Sequence, residues 1–220
     1  MNIKISKLFS LEGKVACVTG ASNGLGQQVA SVLVESGVKV VGVARNKKLL
    51  QAWSKNAGAH ASFVSFDLTD RCKITKITKK ISDVFGPPDI LVNAAGINTR
   101  EHANNVTHEN WDKTVELNLA APFFMAQALV PNMIKNGWGR VINFASLQSR
   151  RAFPAGLSYG ASKGGIEQMT RAMAEAWSSY GVTVNAIAPG FFPTELTTAV
   201  FKNESLSKKN AEQTCIGRNG

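Results

Sequence analysis

From Lys14 onward, short β-rich apolar runs alternate with stretches of helical period, and the apolar runs have no polar face. A strand that is apolar on both sides needs cover on both sides. That requirement selects an α/β fold: a Rossmann-type doubly wound parallel sheet with right-handed crossovers and helices on each face. The pattern predicts strands over Lys14–Thr19, Val38–Ala44, Ala61–Phe66, Asp89–Val92, Arg140–Ala145 and Val182–Ile187. It predicts helices over Leu25–Ser36, Asn46–Asn56, Asp70–Phe85, Thr107 (as N-cap) to about Lys135, and Ser158–Tyr180. No repeat, linker or low-complexity segment interrupts the alternation, so residues 1–220 read as a single domain.

Such a sheet binds ligands at the carboxyl ends of its strands. The polar residues that stand out fall there: Gly20–Gly26, Arg45, Asp67, Asn93–Gly96, Ser146 and Pro189–Thr194. Thr19–Gly26 reads TGASNGLG between a strand and a helix. Its glycines let backbone approach a pyrophosphate, and the helix N-terminus offers free N–H groups. A plain βα turn is the ordinary alternative, but the strand before and the helix after favour a nucleotide. The next strand, VKVVGVARN, lacks the acid that bonds ribose hydroxyls in NAD binders. Arg45 and Asn46 stand there instead, and an arginine fork suits a 2′-phosphate. This favours NADP(H), with NAD(H) the lesser option; otherwise Arg45 is a solvated loop residue.

Asn143–Gly165 reads NFASLQSRRAFPAGLSYGASKGG. Tyr159 and Lys163 lie one helical turn apart, about 6 Å along the axis, on one face. A phenol with its ordinary pKa of about 10 is a poor acid–base group at neutral pH, and a nearby ammonium would favour the phenolate. Ser146, at the end of a strand, would offer a hydroxyl to the same reacting oxygen. Alone, a Tyr-x-x-x-Lys pair is most often surface; the serine and the glycine loop give this one meaning.

The net charge of +10 raises nucleic acid or a membrane surface as partners. The basic residues are scattered, however, and the densest run, Lys73–Lys80, reads as the solvent face of an amphipathic helix. Neither nucleic acid nor membrane is expected, and no apolar run approaches the ~20 residues of a span. The N-terminal MNIKISKLFSLEGK lacks the apolar core of a secretory signal. Cys17, Cys72 and Cys215 show no metal spacing and read as reduced thiols, so a cytoplasmic location is expected.

Taken together these motifs resemble the short-chain dehydrogenases/reductases over Leu11 to about Gly220. TGASNGLG fits the family's TGxxxGxG, NAAG at Asn93–Gly96 its sheet-stabilising motif, YGASK its YxxxK, and Pro189-Gly190 with Thr194 its PGxxxT. The resemblance implies a catalytic tetrad of Asn118, Ser146, Tyr159 and Lys163. Tyr159 would exchange the proton, Lys163 would acidify it and bond the nicotinamide ribose, Ser146 would hold the substrate oxygen, and Asn118 would hold a relay water. It implies cofactor contacts at Gly20, Ser22, Asn23, Gly24, Leu25 and Gly26 on the first loop. Arg45, Asn46, Asp67 and Leu68 would serve the adenosine end. Asn93, Ala94 and Gly96, then Tyr159 and Lys163, then Pro189, Gly190, Phe192 and Thr194 would complete the set.

The expected reaction interconverts a carbonyl and a secondary alcohol. SLQSRRAF is similar to the gluconate 5-dehydrogenase-like group, with Gln148 bonding a hydroxylated substrate and Arg150 or Arg151 meeting a carboxylate or merely solvated. The 3-oxoacyl-acyl-carrier-protein reductases are the alternative, and a non-catalytic nucleotide-binding fragment is the rival of another class. Family members normally continue past the IGRNG-like segment with a helix and a final strand, so about six strands and an open sheet edge are expected. A homo-oligomer is implied: a dimer through the 107–135 and 158–180 helices, with a tetramer doubtful.

Overall fold

A computed structural model describes residues 9–220. The N-terminal reading above rests largely on residues 1–8, which lie outside the described residues. The strands are β1 (Val15–Thr19), β2 (Lys39–Ala44), β3 (Ala61–Ser65), β4 (Ile90–Asn93), β5 (Gly139–Phe144) and β6 (Val182–Ile187). They form one sheet in the order β3-β2-β1-β4-β5-β6, with every pair parallel. The order reverses between β1 and β4, where a doubly wound sheet opens a crevice. Each expected strand is present, within a residue or two at its ends.

The helices are α1 (Gly24–Glu35), α2 (Lys47–Ala57), α3 (Ile74–Phe85), α4 (His108–Val115), α5 (Ala121–Lys135), α6 (Leu157–Trp177), α7 (Thr198–Phe201) and α8 (Glu204–Glu212). On one face, Ile81 of α3, Met125 and Leu129 of α5 and Met173 of α6 pack on Val41, Leu91, Val141 and Val184. On the other, Ala30 of α1 and Leu50 and Trp53 of α2 pack on Val18, Val40 and Val92. Burial on both faces is why the strands read as unbroken apolar runs.

Two helical expectations change. The single helix from Thr107 to Lys135 has the expected cap, Thr107 Oγ1 accepting from the Asn110 N–H at 3.2 Å. It is split by a π-helical turn at Glu116–Ala120 that carries Asn118. This stretch, His108–Lys135, is long and apolar enough to cross a membrane by composition, contrary to the expectation that no run approaches a span. Half of its most apolar window is buried in the protein, which accounts for its composition. The second change is that α7 and α8 follow β6 where no helix was expected. In α8 only Asn210 is buried, so no apolar stripe marks it in the sequence.

β6 closes one edge of the sheet. Val182 and Val184 point into the core, while Thr183, Asn185, Ala186 and Ile187 are exposed.

Candidate active site

Strand register sets the site. Thr19 pairs with Asn93 and Asn93 with Asn143, so β1, β4 and β5 end on one level. Thr19 Oγ1 accepts from the Ala94 and Ala95 N–H groups at 3.1 and 3.2 Å, joining the end of β1 to the NAAG loop. Gly20 sits at φ +72°, and a Cβ there would lie 2.8 Å from the Ala95 nitrogen. A Cβ on Gly26 would come within 2.4 Å of the Gly20 carbonyl oxygen. The loop is therefore as tight as backbone permits. At its end Asn23 is the N-cap of α1 but makes no side-chain cap, and the first turn holds no acid. The first amides of α1 are left for an anion, so the loop fits a pyrophosphate. Ser22 is half-buried there, and Leu25 packs on the core behind the loop.

At the far end, Arg45 is exposed and its guanidinium makes no hydrogen bond to the described residues, so it fits a phosphate. Asn46 is committed locally, its Oδ1 capping α2 through the Leu49 N–H at 3.1 Å. Asp67 is exposed, with Oδ1 accepting from both the N–H and the hydroxyl of Thr69. Leu68 is 5% exposed and belongs to the core. The Asn93 side chain turns into the sheet, donating to Asn143 Oδ1 at 2.9 Å and to the Pro122 carbonyl at 3.3 Å. At Asn46, Leu68 and Asn93 the side chains are thus committed to the fold. Ala94 and Gly96 border the crevice.

Tyr159 and Lys163 both lie buried on α6, 8% and 4% exposed. Lys163 Nζ stands 5.8 Å from the Tyr159 ring centre and donates to the Phe144 carbonyl at 2.5 Å. Burial lowers the Lys163 pKa to about 8. Burial also raises the Tyr159 phenol, while the neighbouring Ser146 hydroxyl and the charge of Arg100 pull it back. This differs from the expectation that Lys163 would acidify the phenol. Removal from water is the dominant effect, and the groups that counter it are Ser146 and an arginine that the motifs do not include.

Ser146 starts the turn Leu147–Ser149, its Oγ accepting from the Gln148 N–H at 3.1 Å. Ser149 Oγ donates to the Lys163 carbonyl at 2.8 Å, fastening this turn to α6. Asn118 is fully buried and clamps Ile97: Oδ1 accepts its N–H and Nδ2 donates to its carbonyl, each at 2.9 Å. Nδ2 also reaches Ser162 Oγ at 3.1 Å. A Cβ on Gly96 would lie 3.2 Å from Asn118 Oδ1 and 3.7 Å from Lys163 Nζ. Those two polar groups therefore converge on the open backbone at Gly96. Asn118, Ser146, Tyr159 and Lys163 thus lie at the same end of the sheet as the Gly96 loop.

The expected substrate residues divide. Gln148 Oε1 is buried beside Gly156 and has no hydrogen-bond partner. Arg150 pairs with Glu167 at 3.0 Å, and Arg151 donates to Gln213 at 2.8 Å, so both are engaged already. Pro189 and Gly190 line a cavity of about 540 Å³ with Ser146. Phe192 is 37% exposed, and Thr194 caps the turn Glu195–Thr197. Thr19, Ser162, Arg100 and Glu195 belong to the site without having been singled out in the sequence. Only Thr19 carries a local signal, as the first residue of the glycine motif.

The family described as short chain dehydrogenase matches residues 14–205. A gluconate 5-dehydrogenase of Gluconobacter oxydans is 37% identical over 216 residues, 97% of this chain and 84% of that protein. A 3-oxoacyl-acyl-carrier-protein reductase of Vibrio cholerae is 37% identical over 212 residues, 96% of this chain and 86% of its own. The crystal structure of a gluconate 5-dehydrogenase from Burkholderia cenocepacia, in complex with NADP and tartrate, superposes with a TM-score of 0.90 at 32% identity, covering 96% of this chain and 84% of that one. The glycine loop, the buried Tyr159–Lys163 pair and these likenesses agree: this chain is an oxidoreductase of the short-chain dehydrogenase/reductase family.

Proposed function

We propose that this chain interconverts a carbonyl and a secondary alcohol on a small, polar, sugar-acid-like substrate, with NADP(H) as the preferred partner and NAD(H) as a weaker one. The observation that carries the reading is the Ser146–Tyr159 hydroxyl pair, set one helical turn from a buried Lys163 beside a glycine loop. When bound, the nicotinamide supplies or accepts a hydride. Everything else falls to the protein. Ser146 and Tyr159 hold the reacting oxygen, and Tyr159 gives it a proton in reduction or takes one in oxidation. Lys163 holds the nicotinamide ribose, Asn118 keeps the Ile97 loop in place, and Arg45 meets the 2′-phosphate. The unpaired Gln148 Oε1 accepts a hydrogen bond from a substrate hydroxyl.

The sugar-acid class draws support from the Gluconobacter and Burkholderia relatives and from the tartrate, a hydroxy acid, in the latter's structure. An acyl-thioester substrate is the second reading, supported by the Vibrio relative at equal identity. A cytoplasmic location and a homodimer through α4–α5 and α6 belong to the same proposal. The free thiols Cys17, Cys72 and Cys215 suit the first, and the exposed Trp111 and Leu157 on those helices suit the second. Cell fractionation and light scattering test them. The reaction is tested by NADPH turnover on keto-sugar acids against a 3-oxoacyl thioester. Tyr159→Phe is expected to cut turnover at least about a hundredfold while NADPH still binds. Near-normal turnover in that variant would remove Tyr159 from the chemistry, and a preference for the thioester would move the substrate to the second class.

A further inference from the structure

We propose that the cavity beside β6 is a binding site for a small polyanion, separate from the catalytic pocket. The site does not depend on the nicotinamide reading above.

The cavity, of about 540 Å³, lies between the end of β6, one face of α6, the turn after Ser146, and α8. That volume is in the range of small-molecule sites. Of the tetrad and the expected cofactor contacts, only Ser146, Pro189 and Gly190 border it. Tyr159, Lys163 and the glycine loop do not, so it is a different space from the one where hydride transfer would occur.

The charge of its walls selects the ligand. The guanidinium groups of Arg150, Arg151 and Arg171 stand there with one carboxylate, Glu167. Each guanidinium is steadied through one nitrogen: Arg150 Nε on Glu167 at 3.0 Å, Arg151 Nη1 on Gln213 at 2.8 Å, and Arg171 Nε on Gln168 at 2.9 Å. The other N–H groups of Arg150, Arg151 and Arg171 make no hydrogen bond to the described residues. Arginines held in this way present planar forks that suit carboxylate and phosphate oxygens. Three cations with one counter-charge also repel one another, and an anion among them relieves that repulsion.

The floor is polar as well. Asn210 of α8 is 8% exposed and lines the cavity, yet its side-chain amide makes no hydrogen bond to the described residues. A buried amide without a partner is costly, and a ligand in the cavity would supply one. Gln213 gives its oxygen to Arg151 and keeps its own N–H groups. On the strand side, Ile187 turns its carbonyl to the Ala145 N–H at 2.8 Å, so the adjacent Ala186 turns its N–H outwards along the cavity wall. Donors therefore outnumber acceptors around the space. A compound with several oxyanion groups, a polycarboxylate or a phosphate ester, matches them.

The test is calorimetric titration of the 220-residue chain with citrate and with inorganic phosphate, at fixed ionic strength. One-to-one binding of at least one is expected, and the tighter of the two identifies the class of anion. Arg171→Met and Asn210→Leu are each expected to weaken it about tenfold. Glu167→Gln keeps an acceptor for Arg150 but removes the opposing charge, and should tighten binding about threefold. A gain of that kind cannot come from a misfolded variant, so Arg171→Met and Glu167→Gln decide the matter if Asn210→Leu does not fold. Lys76→Met, on the exposed face of α3, removes the same charge elsewhere and should leave binding unchanged. Equal losses in Lys76→Met and Arg171→Met would show attraction by net charge alone and overturn the site. So would binding that Arg171→Met leaves unaltered, or no binding of either anion.

Discussion

Lys163 has nowhere to put its charge except against the Phe144 carbonyl, and burial holds its pKa near 8, below the ordinary lysine value of 10.5. The folded protein therefore gives up this proton at lower pH than the unfolded chain does. Between about pH 8 and 10.5 the unfolded chain binds more protons, so the stability owed to this group rises with pH through that window. Cys17, pushed up to about 12, and Tyr159, also raised, act in the opposite sense from about pH 9 and 10 upward. The clean interval is about pH 8 to 9, where urea unfolding should show a gain on the order of 1 kcal/mol. Lys163→Met should lack that gain, and a flat profile in the unaltered chain would contradict the buried charge. At the other end of the crevice, Arg45→Asp should lower the ratio of kcat/KM for NADPH over NADH at least about tenfold, because it replaces a phosphate fork with a ribose acceptor. An unchanged ratio would make Arg45 a loop residue only. Tyr159, Lys163 and the glycine loop were legible because their spacing along the chain is their geometry. Arg100 and Glu195 were not, since their partners, the Leu196 carbonyl and Asn23, stand 96 and 172 positions away.

Among the elements, β4, β5 and α6 are joined by a buried amide ladder. Asn143 accepts from Asn93 at 2.9 Å and donates to Thr170 Oγ1 at 3.0 Å, and that hydroxyl donates to the Ile166 carbonyl at 2.7 Å. With Asn143 fully buried, water cannot replace these partners. Asn143→Leu keeps the bulk and removes both bonds. It should cost about 2–3 kcal/mol in urea unfolding, mostly from the Asn93 and Thr170 groups left short of partners. A loss under about 1 kcal/mol would mean that the ladder is replaceable. The sequence resolved strands better than helix interiors. An apolar run such as Lys39–Ala44 carries its burial in its composition. The π turn at Glu116–Ala120 depends on how Asn118 reaches Ile97 from the neighbouring loop, and no residue type announces it. For the same reason Asn93 read as a ligand contact: the motif marks the position, and only the sheet shows that its side chain is turned inward.

At the scale of the molecule, the two edges of the sheet are unequal. β3, at one end, packs against α2 and α3. β6, at the other, runs Val182–Ile187 as VTVNAI, with no lysine or proline to blunt it. Its outer backbone has no neighbouring strand among the described residues. Ile187 is 48% exposed beside it. Unpaired N–H and C=O groups on a β-branched strand are a template for a second strand. The 220-residue chain is therefore expected to form large species with time through edge pairing, on top of any helix-mediated dimer. Thr183→Lys places a charge on an exposed edge position, where it disfavours pairing without touching the core. Light scattering at fixed concentration should show slower growth in this variant, with the melting temperature little changed. Dilution separates the two modes: a helix-face dimer falls to monomers reversibly, whereas edge-paired material persists. A chain that stays monodisperse, with Thr183→Lys making no difference, would show that the β6 edge is protected in solution.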